Sequence, residues 1–251
     1  MPLEIARVRH ALPQHRIEYY DSLASTQPVA ITLAERGAPE GTAVVANEQT
    51  AGIGRQGHSW HSEPDSGLYV SLILYPPLEP ATRPVLTLAL GLATAEAIGR
   101  VAGVQCDLRW PNDIIIDDRK TAGILVQLAG NAAVAGIGIN VNNQAFPPDI
   151  EHLATSLAIA TGRRHDRAGL LIALIECATA FSRMLKDAGK DAILAAFTRA
   201  SSYAQGKRVV VDMGDRQIEG ITAGLDDHGF LRVRKNDGTV ETVLAGGVRP
   251  A

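Results

Sequence analysis

Thr50–Ala51–Gly52–Ile53–Gly54–Arg55–Gln56–Gly57–His58–Ser59–Trp60 joins three glycines, a fixed cation and an aromatic ring in one polar run. Gly52, Gly54 and Gly57 satisfy G-x-G-x-x-G, the pattern of dinucleotide-binding folds. The flanks exclude that fold, which needs a strand before the glycines and a helix opening after them, with pyrophosphate on the helix N-terminus. Ala43, Val44, Val45 and Ala46 do read as a strand. Residues 58–66, however, are rich in Ser, His, Pro and Asp, and residues 67–75 form a second apolar strand rather than an amphipathic helix. The run is therefore a long strand-to-strand loop, and loops of that length inside compact domains are usually functional or disordered. Its glycines and Arg55 suit a segment that is mobile when free and wraps a phosphate when bound.

Working outward, 251 residues suffice for one large core, or a good core with a small second module. A net charge of -3 supplies no general electrostatic reason to bind nucleic acid or anionic membranes. No unbroken apolar run reaches the roughly 18 residues of a membrane span, and residues 1–15 lack the apolar centre of a secretory signal, so a cytoplasmic location is expected. Cys106 and Cys177 are too few and too distant for a disulfide framework or zinc site and read as buried thiols. Aromatic residues make up only 4%, which draws attention to Trp60 and Trp110, both inside polar motifs.

A helix is expected after Ser25 or Thr26 as cap, with Pro28 in its first turn and Gly37 closing it. A second, over residues 83–101, carries Leu86, Leu90, Ala93, Ala97 and Val101 at helical spacing. Residues 113–116 read as a short strand, and residues 120–128 and 132–141 as a strand pair about Gly130–Asn131. Helices near 166–186 and 191–200 follow. From Lys207 the texture changes to about four short alternating strands, a small β-barrel candidate. Strands and helices in irregular order indicate an α+β class.

Two further clusters carry chemistry. In Arg109–Trp110–Pro111–Asn112–Asp113, Pro111 donates no ladder hydrogen bond, so Asn112 and Asp113 emerge at a strand mouth, and Lys120 can face Asp113 across the turn. As a bare pattern, the same residues fit a hairpin with a surface ion pair. In Gly136–Ile137–Gly138–Ile139–Asn140–Val141–Asn142 two glycines allow close backbone approach, and Asn140 interrupts an apolar strand.

Together with Ser25–Thr26, these clusters resemble the biotin protein ligases, in the right order over nearly the whole chain. The family motifs are an S-T-N segment, a G-x-G-R-x-G loop ending in W, a K-W-P-N-D block followed by a lysine and G-I-L, and a G-I-G-I-N-V-N strand. The resemblance implies a catalytic domain related to class II aminoacyl-tRNA synthetases over residues 1–204 and an SH3-like C-terminal β-barrel over 205–251. It implies ligation of biotin, through biotinyl-5'-AMP formed with ATP and Mg2+, to a lysine of the biotin carboxyl carrier protein domain of a biotin-dependent carboxylase. Carried over by position, Ser25, Thr26, Gln27, Gln49, Gly52, Ile53, Gly54, Arg55, Lys120 and Gly123 would serve biotin. Arg55, Trp60, Asn112, Lys120 and Asn140 would serve ATP. Arg55, Lys120 and Asp113 would be catalytic, with Asp113 also a metal ligand and a candidate to orient the acceptor amine or take its proton.

The departures from the pattern make the loop less cationic. Ile53 stands where many members have arginine, Gln56, His58 and Ser59 replace a further basic run, Arg109 replaces lysine, Gln27 asparagine, and Gln127 a common glutamate. His58 and His61 lack an evident third metal ligand. The short sequence before Ser25 is too little for the DNA-binding arm of some relatives, so a monofunctional type is expected. A lipoate transferase would need an R-R-x-x-G-G-G loop, which is missing, and a non-catalytic biotin sensor would lose nucleotide residues that are present here. Exposed strands could pair into a homodimer.

Overall fold

The computed structural model describes residues 3–76 and 83–251. In chain order the elements are α1 (Ile5–Ala11), β1 (Ile17–Leu23), α2 (Thr26–Glu35), β2 (Ala43–Gln49), β3 (Leu68–Leu74) and α3 (Arg83–Ala102). Then come β4 (Asp107–Arg109), β5 (Asp113–Ile116), β6 (Arg119–Ala129), β7 (Ala132–Ile139), α4 (Leu157–Thr161), α5 (Arg167–Asp187) and α6 (Gly189–Ala200). The last five are strands: β8 (Gln205–Asp212), β9 (Gln217–Leu225), β10 (Leu231–Lys235), β11 (Val240–Val243) and β12 (Gly247–Pro250).

β1 to β7 form one sheet in the order β1-β2-β3-β7-β6-β5-β4. β1 and β2 run parallel, and the other neighbours are antiparallel. The β6–β7 hairpin turns tightly, with Ala129 opposite Ala132, because Gly130 accepts a φ of +61° that side-chain-bearing residues rarely adopt. Helix α2 starts where expected: the Ser25 hydroxyl accepts from Gln27 N at 3.4 Å, and Gly37 leaves the helix at φ +78°.

Alternation along the strands gives the sheet two different faces. Val70, Leu72, Ile124, Ala135, Ile137 and Ile139 point into the main core beneath α3 and α5. Full burial of each such Leu or Ile stabilises the fold by about 2 kcal/mol. The opposite face is only partly covered, by Ala30 and Ala34 of α2 packed on Val44, Ile73 and Val134. What α2 leaves open on that face is the candidate site.

The C-terminal strands form an antiparallel sheet in the order β11-β10-β9-β8-β12, consistent with an SH3-like unit, with no closing strand pair among the described residues. Five strands are present rather than about four. The extra one, Gly247–Val248–Arg249–Pro250, pairs with β8 at the sheet edge, where a proline is tolerated and alternation is too short to read. α1, β1, β4 and α4 were likewise unanticipated. β1 is an edge strand whose middle is only half-buried, so its composition carries little strand signal. Two helical stretches, Pro84–Ala102 and Arg167–Ala200, are long and apolar enough by length and composition to cross a membrane. Both fall where helices are expected, over residues 83–101 and near 166–186 and 191–200. In the fold α3 and α5 pack against one another and supply much of the core.

Candidate functional site

Strand register lays the site out as rows. Tyr69 pairs with Gly138, Gly138 with Gly123, Gly123 with Asp113, and Asp113 with Arg109, so these five residues share one face. In the adjoining row Ser71 pairs with Gly136 and Gly136 with Leu125. Three glycines thus make a floor without side chains. Trp60 lies on it: a Cβ on Gly138 would fall 2.4 Å from the indole Cε2, and one on Gly123 2.9 Å from Cζ3. A Cβ on Gly136 would meet Gln27 Oε1 at 2.6 Å. The free volume between floor and loop is only about 40 Å³, far below the roughly 300 Å³ at which small-molecule sites begin. A ligand resting on the glycines must therefore displace the Trp60 ring.

One end of the cavity is a neutral hydrogen-bonding wall. Gln49 Oε1 accepts from Thr26 N at 2.9 Å, and Gln49 Nε2 donates to Ser62 Oγ at 3.0 Å. The Ser71 hydroxyl donates to Gln27 Oε1 at 2.8 Å and lies 2.8 Å from the Thr26 hydroxyl, while Gln27 Nε2 donates to Val134 O at 3.0 Å. Ser71 was missed by sequence reasoning. Inside Leu68–Leu74 it is a lone hydroxyl in an apolar run, and that is the signal that could have found it.

The other end is cationic. Lys120 Nζ lies 2.6 Å from Asp113 Oδ1, and Arg109 Nη2 lies 2.9 Å from Asp113 Oδ2. Lys120 also sits 5.3 Å from the Trp60 ring centre, within cation–π range. Burial acts to raise the Asp113 carboxyl, but the charges and hydrogen bonds of Lys120 and Arg109 outweigh it and hold it below the ordinary carboxylate range. Such a carboxylate is a weak base, so Asp113 is suited to orienting Lys120 rather than taking a proton. Both its oxygens are engaged, and among the described residues no group of three or more His, Cys, Asp or Glu could hold a metal ion. The geometry thus does not favour the metal-ligand role expected of Asp113. Mg2+ fits better as a companion of the triphosphate than at a ready-made carboxylate site.

Arg55 reaches over from the loop, its Nη1 donating to Asn112 Oδ1 at 2.6 Å. Asn112 is itself stapled to β6, its Nδ2 donating to Ile124 O at 3.1 Å and its carbonyl accepting from Ile124 N at 3.0 Å. Burial pulls the Arg55 pKa below the ordinary guanidinium value, with the charge of Asp113 acting in the opposite direction. Among the described residues no carboxylate pairs with it, so a half-buried cation faces the cavity with only a neutral amide as partner.

The loop tip is a small hairpin. Ile53 and Ser59 bridge, Gly54 N donates to His58 O at 2.7 Å, Trp60 N donates to Gly52 O at 2.9 Å, and a 3-10 turn spans Arg55–Gly57. Its far end is fastened separately. Buried Arg167 donates to Gly67 O at 2.8 Å and to Asn47 Oδ1 at 2.7 Å, and Asn143 Nδ2 reaches Ser66 Oγ at 3.2 Å. Hydrogen exchange is therefore expected to be fast at residues 53–60 in the free protein and slowed by biotin plus ATP, with residues 65–68 protected in both states. Equal protection of the tip in both states would contradict a mobile loop.

Ser25, Thr26, Gln27, Gln49, Ile53, Gly54, Arg55, Trp60, Asn112, Lys120 and Gly123 all line this one cavity, beside Tyr69, Ser71, Gly136 and Gly138. Three expected residues do not. Gly52 holds the loop hairpin, since a Cβ there would fall 2.5 Å from Trp60 O. Asn140 spends its amide on Thr155 O at 3.0 Å and Lys120 O at 3.5 Å, bracing the strand that carries Lys120. Asp113 stands behind Lys120. Trp110 is no part of the cavity either, and its indole donates to Gly229 O of the C-terminal unit at 2.9 Å. Cys177 is buried as expected, whereas Cys106 is half-buried; desolvation pushes Cys106 up to about 12 and Cys177 up to about 11.

The depressed Asp113 pKa has a stability consequence with a definite sign. A carboxyl depressed by folding adds stability above its unfolded value of about 3.9, and that gain is lost as pH falls through the lower folded value. Asp113→Asn is expected to cost about 3 kcal/mol at pH 7, by leaving two partly buried cations without their anion. Urea unfolding should show the gap to the wild type closing below about pH 4.

Comparison with known proteins agrees with this geometry. Residues 20–143 match the Biotin/lipoate A/B protein ligase family, and residues 205–248 match the Biotin protein ligase C terminal domain. The Bifunctional ligase/repressor BirA of Bacillus subtilis is 39% identical over 236 residues, covering 90% of this chain and 71% of that protein. The Biotin–[acetyl-CoA-carboxylase] ligase of Mycobacterium tuberculosis is 32% identical, covering 89% of this chain and 85% of the relative. The Aquifex aeolicus biotin protein ligase in complex with biotin and ATP superposes with a TM-score of 0.83 at 30% identity, over 94% of this chain and 99% of that one. A loop cation set over a glycine floor, a lysine held by a carboxylate, and a matching C-terminal sheet thus occur together in a chain that belongs to the biotin protein ligase family.

Proposed function

We propose that this chain activates biotin with ATP and transfers it to a lysine of a biotin carboxyl carrier protein domain, with residues 1–204 as catalytic unit and 205–251 as SH3-like unit. The observation that carries the reading is Arg55, a half-buried guanidinium without a carboxylate partner among the described residues, lining the same cavity as Lys120. Two cations at one end and neutral hydrogen-bonding groups at the other suit a ligand with a polar uncharged ring and an anionic tail. Biotin has a ureido ring and a carboxylate. Ser25, Thr26, Gln27, Gln49 and Ser71 would bind the ring, while the glycine floor lets its flat body lie close to the sheet.

In the first step a biotin carboxylate oxygen attacks the α-phosphorus of ATP, and pyrophosphate leaves with the electrons of the broken P–O bond. Lys120 and Arg55 bring the two anions together and stabilise the charge that builds on the phosphoryl oxygens. In the second step the neutral amine of the carrier lysine attacks the acyl carbon, AMP leaves with the C–O bonding electrons, and the nitrogen loses a proton. Asp113 keeps Lys120 aimed throughout. Trp60, lifted from the glycines, would close over the bound nucleotide. The test is to mix the protein, biotin, Mg-ATP and a carrier domain and weigh the carrier. One added biotinyl group per carrier with pyrophosphate release is expected, and biotin binding without either would leave only a sensor.

A further inference from the structure

We infer that Trp110 is a positioning residue through which the C-terminal sheet sets the cationic half of the site. This rests on the ligation reading above. Trp110 is buried in the turn between β4 and β5, and that hairpin carries Arg109, Asn112 and Asp113, the groups that hold Lys120 and Arg55. Its indole Nε1–H donates to Gly229 O at 2.9 Å, in the turn joining β9 to β10.

That turn is stiff. Asp226 Oδ1 accepts from His228 N and Phe230 N, each at 2.9 Å, and Gly229 N donates to Asp226 O at 3.0 Å. It is also wedged in place: a Cβ on Gly229, whose φ is +84°, would lie 3.1 Å from Leu88 of α3 and 3.4 Å from Leu194 of α6. The segment leading into the C-terminal unit grips the same hairpin from its other end. Ser201 Oγ donates to Leu108 O at 2.5 Å, and Ser202 N donates to Asp107 Oδ1 at 2.8 Å. The hairpin behind Lys120 and Arg55 is thus fixed on one side by Gly229 of the C-terminal unit and on the other by the segment leading into it, whereas Ser25, Thr26, Gln27 and Ser71 are fixed by α2, β3 and β7. ATP use, which rests on the cationic end, should depend on the Trp110 contact far more steeply than biotin affinity, which the neutral wall around the ring mostly supplies.

Trp110→Phe keeps most of the packing and removes the donor, and Gly229→Ala disturbs the acceptor from the other partner. With pyrophosphate release as the readout at saturating biotin, each variant is expected to lose at least tenfold in kcat/KM for ATP, while calorimetry finds biotin Kd within twofold of wild type. The double variant should be no worse than about threefold below the weaker single variant, because both changes break one link. Unchanged ATP parameters in a Trp110→Phe protein that melts cooperatively, parallel loss of biotin affinity, or multiplicative effects in the double variant would each overturn the inference. A wild type that releases no pyrophosphate from biotin and ATP would overturn the ligation reading instead.

Discussion

Lys120→Ala is expected to lower the rate of biotin-dependent pyrophosphate release by about 10³-fold, with the fold intact. The ammonium is the group nearest Asp113 and lines the cavity where carboxylate and phosphate must meet. Its charge acts on the transition state more than on either substrate alone, so kcat should fall much further than KM rises. Measuring pyrophosphate without any carrier isolates this step. Lys120→Arg provides a control that keeps the charge beside Asp113, so a defect in both variants would point to geometry and a defect in alanine alone to charge. Near wild-type release by Lys120→Ala would reduce Lys120 to the surface ion pair that its hairpin pattern also fits.

Arg55→Gly should separate making the adenylate from keeping it. Among the described residues the guanidinium has only Asn112 Oδ1 as a hydrogen-bond partner, which leaves donors for a phosphate. Deleting it removes both a cation for the anion and the strut between loop tip and the β4–β5 turn. Synthesis should continue, supported by Lys120, while the activated biotin escapes before a carrier arrives. Labelling of a bystander such as serum albumin should rise at least tenfold over wild type. With Ile53 in place of a second loop arginine, the wild type itself should show a measurable background. A variant that makes adenylate at a normal rate and labels no bystander would show that another group retains the intermediate.

The parts of the site legible in sequence were those whose chemistry is local. Ser25 announced a helix start, Gly130–Asn131 a hairpin, and the strands flanking residues 50–66 a strand-to-strand loop. Asp113 facing Lys120 followed from a proline-marked strand mouth and a short turn. Roles set by distant partners were not legible. Ser71 matters because Gln27 and Thr26 arrive from another element, 44 and 45 residues away. Asn140 reads like a nucleotide ligand until Thr155 O and Lys120 O are seen to accept its amide. Trp110, suspected as a site residue for its polar neighbours, meets its acceptor 119 residues later. β1 and β12 escaped because edge strands carry little hydrophobic alternation.

The placement of the two tryptophans makes the protein its own optical reporter. The chain has only these two. Trp110 is sealed in the core with its N–H bonded, so its emission should stay constant through the catalytic cycle. Trp60 lies against bare backbone, 5.3 Å from an ammonium, with a buried N–H that bonds no described residue. Any ligand that takes its place on the glycines changes that ring's surroundings at once. Intensity and wavelength shifts on adding biotin, then ATP, would time loop movement and adenylate formation separately without an attached dye, and Trp60→Phe should leave a protein that is optically silent to both.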